Sequence, residues 1–157
     1  MLLLAIQCLL GLIYANASEW LIHKYILHGL GKNKQSFWAY HWYEHHLTCY
    51  QHNMLDAGYQ TINLMTWNTQ SKELLVLIVI VLLHGPLFTE FPVFISTVYL
   101  SLMLYYYKHR RAHLDSSWAK QYLPWHYDHH IYNSNANWCV TWPWCDYLLG
   151  TRIKNIK

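Results

Sequence analysis

The sequence predicts an all-α integral membrane protein. The expected architecture is a few-helix transmembrane bundle with a cytoplasmic helical cap that holds a histidine-rich dimetal site. Three observations carry this expectation. The 157 residues are 54% hydrophobic and only 12% charged, about half the charged share of a soluble domain. The apolar residues gather in long runs near the N-terminus and after residue 72. There are 12 His and nine Trp, and so many imidazoles in a short chain point to metal before anything else. The low charge excludes a disordered chain, a coiled coil and a nucleic-acid arm, each of which needs far more of it. Length fits one domain, residues 1–157.

Taken in order, residues 1–22 are uncharged until Glu19 and suit a first membrane helix. The stretch from Met1 to Ala17 also resembles a secretory leader, with Ala15-Asn16-Ala17 as a cleavage pattern. No Lys or Arg precedes its apolar run, so a retained helix is the expected reading. The second apolar region, residues 73–107, predicts a helical hairpin turning near Gly85-Pro86. One long tilted helix is disfavoured by Pro86 and Pro92. The hairpin turn carries Glu90 and no Lys or Arg, whereas Lys24, Lys32, Lys34, Lys108, Arg110, Arg111, Lys120, Arg152 and Lys154 fall elsewhere. The positive-inside rule then places the histidine-rich face in the cytoplasm. Cys8, Cys49, Cys139 and Cys145 form no CxxC pair and carry no zinc-finger spacing.

The histidines fall in four clusters, at residues 23–46 and 109–130. They are His23-x4-His28, His41-x3-His45-His46, His109-x3-His113 and His126-x2-His129-His130. On an α-helix, His41 and His45 lie about 40° apart and share a face, as do His109 with His113 and His126 with His130. His23 and His28 lie about 140° apart, which suggests service to two different metals or a helix end near Gly29. One zinc takes about four ligands, so this set exceeds a single ion. The carboxylate-bridged bundle signature, Glu-x-x-His in two copies, is missing. An all-histidine dinuclear iron centre is the sharp hypothesis, since imidazole suits iron as well as zinc, copper and nickel. One histidine on an apolar face, or one H-x3-H pair, is ordinarily structural. Four clusters on one side of a membrane are not explained that way, and a bis-histidine haem needs no His-His doublets.

The four boxes, followed by the tail from Asn137 to Thr151, resemble the membrane fatty acid hydroxylase and sterol desaturase superfamily. The resemblance runs from Glu19-Trp20 to Thr151, with Cys145 before Asp146 and Leu149 before Gly150 as departures in the tail. It implies metal ligands at His23, His28, His41, His45, His46, His109, His113, His126, His129 and His130. It also implies two iron ions (with zinc as a substitute), O2 as co-substrate and an external electron donor. The function it implies is an oxidoreductase, a non-haem di-iron monooxygenase that hydroxylates an acyl chain or related membrane lipid. A carotenoid hydroxylase or a sterol desaturase of the same superfamily is the alternative within the enzyme class. A non-catalytic metal-binding subunit of a membrane complex is the alternative outside it. Expected partners are a membrane lipid, a separate electron-transfer protein and a larger complex or oligomer, with no nucleic acid. Asp115 and Asp128 are candidates to accept the second ring N–H of a ligand, and no separate acid or base is assigned. His52 and His84 lie outside the boxes, the first expected on a loop and the second at the membrane interface.

Overall fold

The computed structural model describes residues 1–155, and every regular element among them is helical. Helix α1, Leu2–Leu21, runs without a break into a π-helical stretch, Ile22–Gly29, and a 3-10 turn, Leu30–Lys32. A second π-helical stretch, His41–His46, leads into α2, Leu47–Gln51. Then follow α3, Thr69–His84, and α4, Pro92–Leu114, joined through a 3-10 turn at Gly85–Phe88. Three short helices close the chain: α5, Ser116–Tyr122; α6, Pro124–Ile131; and α7, Trp144–Leu148.

Local chemistry sets these boundaries. Asn68 caps α3, its side chain accepting from Ser71 N at 2.9 Å. Pro92 and Pro124 occupy the first turns of α4 and α6, where the missing N–H has no partner to lose. The expected hairpin is present and turns where Gly85-Pro86 predicts. Its arms extend past the expected limits, to Thr69 on one side and Leu114 on the other. The first helix does not end near residue 22 but continues through the first histidine box.

Two helical stretches, Leu2–Lys32 and Thr69–Phe88, are long and apolar enough to cross a membrane. Their side chains are widely exposed, Leu2 at 76% and Leu82 at 68% among them, as a lipid-facing surface requires. Helix α4 is the central post. Gly11 of α1 sits so close to it that a Cβ there would lie 2.8 Å from Thr97 Cβ. Small residues permit such backbone approach between apolar helices.

The polar end is tied together by the tail. Asp146, fully buried, accepts from Trp138 N, Cys139 N and Thr151 Oγ1 at 2.7–2.9 Å. Glu19 of α1 accepts from the backbone N–H groups of Val140 and Thr141 and from Thr141 Oγ1. Asn16 donates to Trp142 O and accepts from Cys145 N, and Trp20 donates to Thr151 Oγ1. These bonds fix the loop of residues 136–142 against α1.

Candidate metal centre

All ten histidines of the four boxes are buried, none more than 7% exposed. They converge in two groups. In the first, one ring nitrogen from each of His23, His28, His41, His46 and His129 lies within 4.8 Å of all the others. In the second, His45, His109, His113 and His130 meet the same limit. His126 joins the second group, its Nε2 3.2 Å from His113 Nε2 and its ring 4.6 Å from that of His130. The rings of His46 and His130 stack at 4.2 Å across the boundary between the groups.

The π-helical geometry decides this partition. Backbone bonds from i to i+5 widen the turn, which brings residues five apart toward the face that residues four apart also share. His23 and His28 therefore serve one group, which corrects the expectation that they face two metals, while His28 does flank the end of that stretch at Gly29. His41 pairs with His46 for the same reason, while His45 turns to the second group. His41 and His45 keep their rings 5.3 Å apart, as a shared face predicts, but their ring nitrogens fall in different groups. On the α-helical elements the ordinary rule holds: His109 with His113, and His126 with His130.

Hydrogen bonds on the far ring nitrogens orient the near ones. His23 Nδ1 bonds Trp138 O, His129 Nδ1 bonds Ala136 O at 2.6 Å, and His113 Nδ1 bonds Met54 O at 2.9 Å. A carbonyl only accepts, so these rings carry their proton on Nδ1 and leave an Nε2 lone pair facing inward. The carbonyls are held in place by unusual backbone. Asn137, between Ala136 and Trp138, has φ 61°, and Asn53 and Met54 have φ 52° and 81°. Asn adopts this region readily, whereas Met does so at a steric cost that the surrounding structure must hold. Both left-handed turns aim carbonyls at candidate ligands.

Carboxylates complete the outer contacts, but not the expected ones. Glu73 Oε1 lies 2.8 Å from His109 Nδ1, and Asp56 Oδ2 lies 3.6 Å from His45 Nδ1. Asp115 instead caps α5, accepting from Trp118 N, and Asp128 pairs with Arg152 at 3.3 Å. Both are spent on architecture, which corrects the expectation that they orient ligand rings. Glu73 had a legible signal, an ionisable residue at the head of an apolar run. Asp56 had none. His52 bonds Thr48 O on an exposed surface, and His84 sits at the hairpin turn, as expected.

The donor set fits metal cations. Nε2 atoms face one another at 3.1–3.2 Å between His23 and His41, His28 and His129, His46 and His129, and His109 and His113. Where both partners have their proton on Nδ1, as carbonyl and carboxylate contacts dictate for His109 and His113, two lone pairs oppose each other. A cation removes that repulsion. Further buried ring nitrogens have no hydrogen-bond partner at all, among them His45 Nε2, His126 Nδ1 and both nitrogens of His130. Burial, reinforced by neighbouring imidazoles, holds His41, His46, His126, His129 and His130 well below the usual value of 6.5. They are neutral at physiological pH, the form that binds metal. Cys49 lies 3.3 Å from His113 Nδ1. Burial pushes its thiol well up, and with His45 and Asp56 it forms a third compact set of donor atoms.

A cavity of about 160 Å³ reaches this assembly from between α1, α3 and α4. His23, His41, His109 and Glu73 form its inner end, and Val76, Leu77, Ile80, Val98 and Leu102 line the approach. A second, more open hollow of about 320 Å³ reaches His46 and His130 from the opposite side, past Trp42 and Tyr50.

A family model described as fatty acid hydroxylase matches residues 8–151, and the chain belongs to that family. No curated protein and no solved structure matches it.

Proposed function

We propose that this chain is an O2-dependent di-iron hydroxylase of a membrane lipid, acting on an acyl chain or related alkyl group. The observation that carries the reading is the convergence of ten buried box histidines into two adjacent groups beside an apolar cavity. His23, His28, His41, His46 and His129 would hold one iron, and His45, His109, His113, His126 and His130 the other. Two irons in such a set supply the reduction of dioxygen and the oxidation of an unactivated C–H bond, with electrons from outside the chain.

The protein's own part is positional. Backbone carbonyls of Met54, Ala136 and Trp138 fix the tautomers of three rings, and Glu73 does so for His109. The apolar cavity wall excludes water and holds an alkyl segment beside His23, His41 and His109. A small acidic electron carrier is the expected second partner. Lys32 and Lys34, each over an aromatic ring beside the open hollow, offer it a basic rim next to His46 and His130. The charge distribution favours a cytoplasmic orientation for that face.

The deciding test is the metal-to-protein ratio of detergent-purified protein from iron-supplemented cells, followed by dioxygen uptake on adding reductant and lipid extract. Two metals per chain with lipid-dependent uptake is the expected result. One metal or none overturns the di-iron reading. Two metals with no uptake in any lipid extract leaves a metal-binding subunit.

A further inference from the structure

The end of the cavity remote from the histidines is polar, and its hydrogen-bond polarity can be read. Tyr14 of α1 and His84 of α3 both line the cavity, with Tyr14 Oη 2.9 Å from His84 Nε2. Along α3, His84 stands about 16 Å from Glu73 at 1.5 Å per residue. The His84 ring is fixed from its other side, where Nδ1 lies 2.8 Å from Ile80 O. That carbonyl can only accept, so Nδ1 carries the proton of the neutral ring and Nε2 is an acceptor. Tyr14 must then donate its own proton to Nε2. What Tyr14 has left for a ligand is oxygen lone pairs. Tyr14 is also 41% exposed, so a molecule arriving between α1 and α3 meets it.

We infer that Tyr14 and His84 form a recognition site for a hydroxyl donor, and that the substrate is a neutral lipid bearing an alcohol group. This rests on the proposed oxidase reading only for the word substrate. The alcohol donates to Tyr14 Oη, and its alkyl chain lies along Ile80, Leu77, Val76 and Val98 toward His23 and His109. The carbon nearest the histidines is then far from the hydroxyl. An ionised fatty acid, an ester or an ether presents only acceptors to Tyr14 and is disfavoured, because it meets no donor there.

The test is equilibrium binding of myristyl alcohol, its methyl ether and tetradecane to detergent-purified, metal-loaded protein. It is kept anaerobic and buffered well above the range in which imidazole protonates. The alcohol should bind about tenfold more tightly than the ether or the alkane. In Tyr14→Phe combined with His84→Phe, which removes the ring acceptor together with the hydroxyl, the alcohol should fall to the level of tetradecane, while tetradecane binds as before and so reports an intact cavity. In His84→Ala the Tyr14 proton is released to donate, and the ether should rise to match the alcohol. Equal binding of the three ligands by the unsubstituted protein overturns the inference, as does an alcohol preference that survives the double substitution. Binding is read without turnover, so the two proposals fail separately. An alcohol preference in a protein holding fewer than two metals sinks the oxidase and keeps the site. Lipid-dependent dioxygen uptake without the preference does the reverse.

Discussion

Glu73 shows how much one side chain can decide in this centre. Its carboxylate meets the Tyr59 hydroxyl at 2.6 Å and His109 Nδ1 at 2.8 Å. With Nδ1 donating to the carboxylate, His109 offers Nε2 to the second histidine group. In Glu73→Gln the amide can donate to Nδ1 instead, which moves the ring proton to Nε2 and spoils the ligand. Such outer partners are worth roughly 10–100-fold in metal affinity. Chelator competition on the variant should therefore release one metal per chain about that much more readily, with the other held as in the parent. Parallel release of both metals, or release identical to the parent, would show that Glu73 does not orient His109. The ten histidines were legible from spacing and abundance alone. Glu73, Asp56 and the carbonyls of Met54, Ala136 and Trp138 were not assigned, because what makes them relevant is contact across long stretches of chain.

Among the elements, the two π-helical stretches did most to defeat inference from spacing. A 100° step per residue predicts that His41 and His45 act together and that His23 and His28 do not. In the wider turn His23 and His28 join one group, and His41 and His45, though neighbours, send their nitrogens to different groups. No residue in Ile22–Gly29 advertises the wider turn; its only glycine stands at the end. The hairpin, by contrast, was readable because Pro86 and Pro92 act locally. Packing of α1 on α4 gives a prediction at this scale. At Gly11 a Cβ would approach Phe94 O to 3.0 Å and Thr97 Cβ to 2.8 Å, so Gly11→Leu must drive the helices apart. Overpacking of this kind costs about 1–3 kcal/mol. The melting temperature in detergent should fall by about 5 °C, and an unchanged melt would show that α1 is free to shift on α4.

Across the whole molecule, burying so many imidazoles adds a loss of stability toward acid. His41, His46, His126, His129 and His130 are held below their usual 6.5 by burial. Above about pH 6.5 both folded and unfolded chains carry these rings neutral. As pH falls below it, only the unfolded chain takes up protons freely, so stability declines toward acid. Metal-free protein should show a melting temperature that is flat in mild alkali and drops progressively below about pH 6.5. A melt independent of pH down to 5 would contradict the burial of neutral rings. The clamp between Glu19 and the loop of residues 136–142 also has a consequence in time. Synthesis makes His23 early, yet the carbonyl that orients its ring belongs to Trp138, and His129 depends likewise on Ala136. While the ribosome still holds the C-terminal segment, the first histidine group lacks a ligand and two of its orienting carbonyls. A metal held by that group would therefore be loaded after synthesis, because the nascent chain leaves the cradle unfinished.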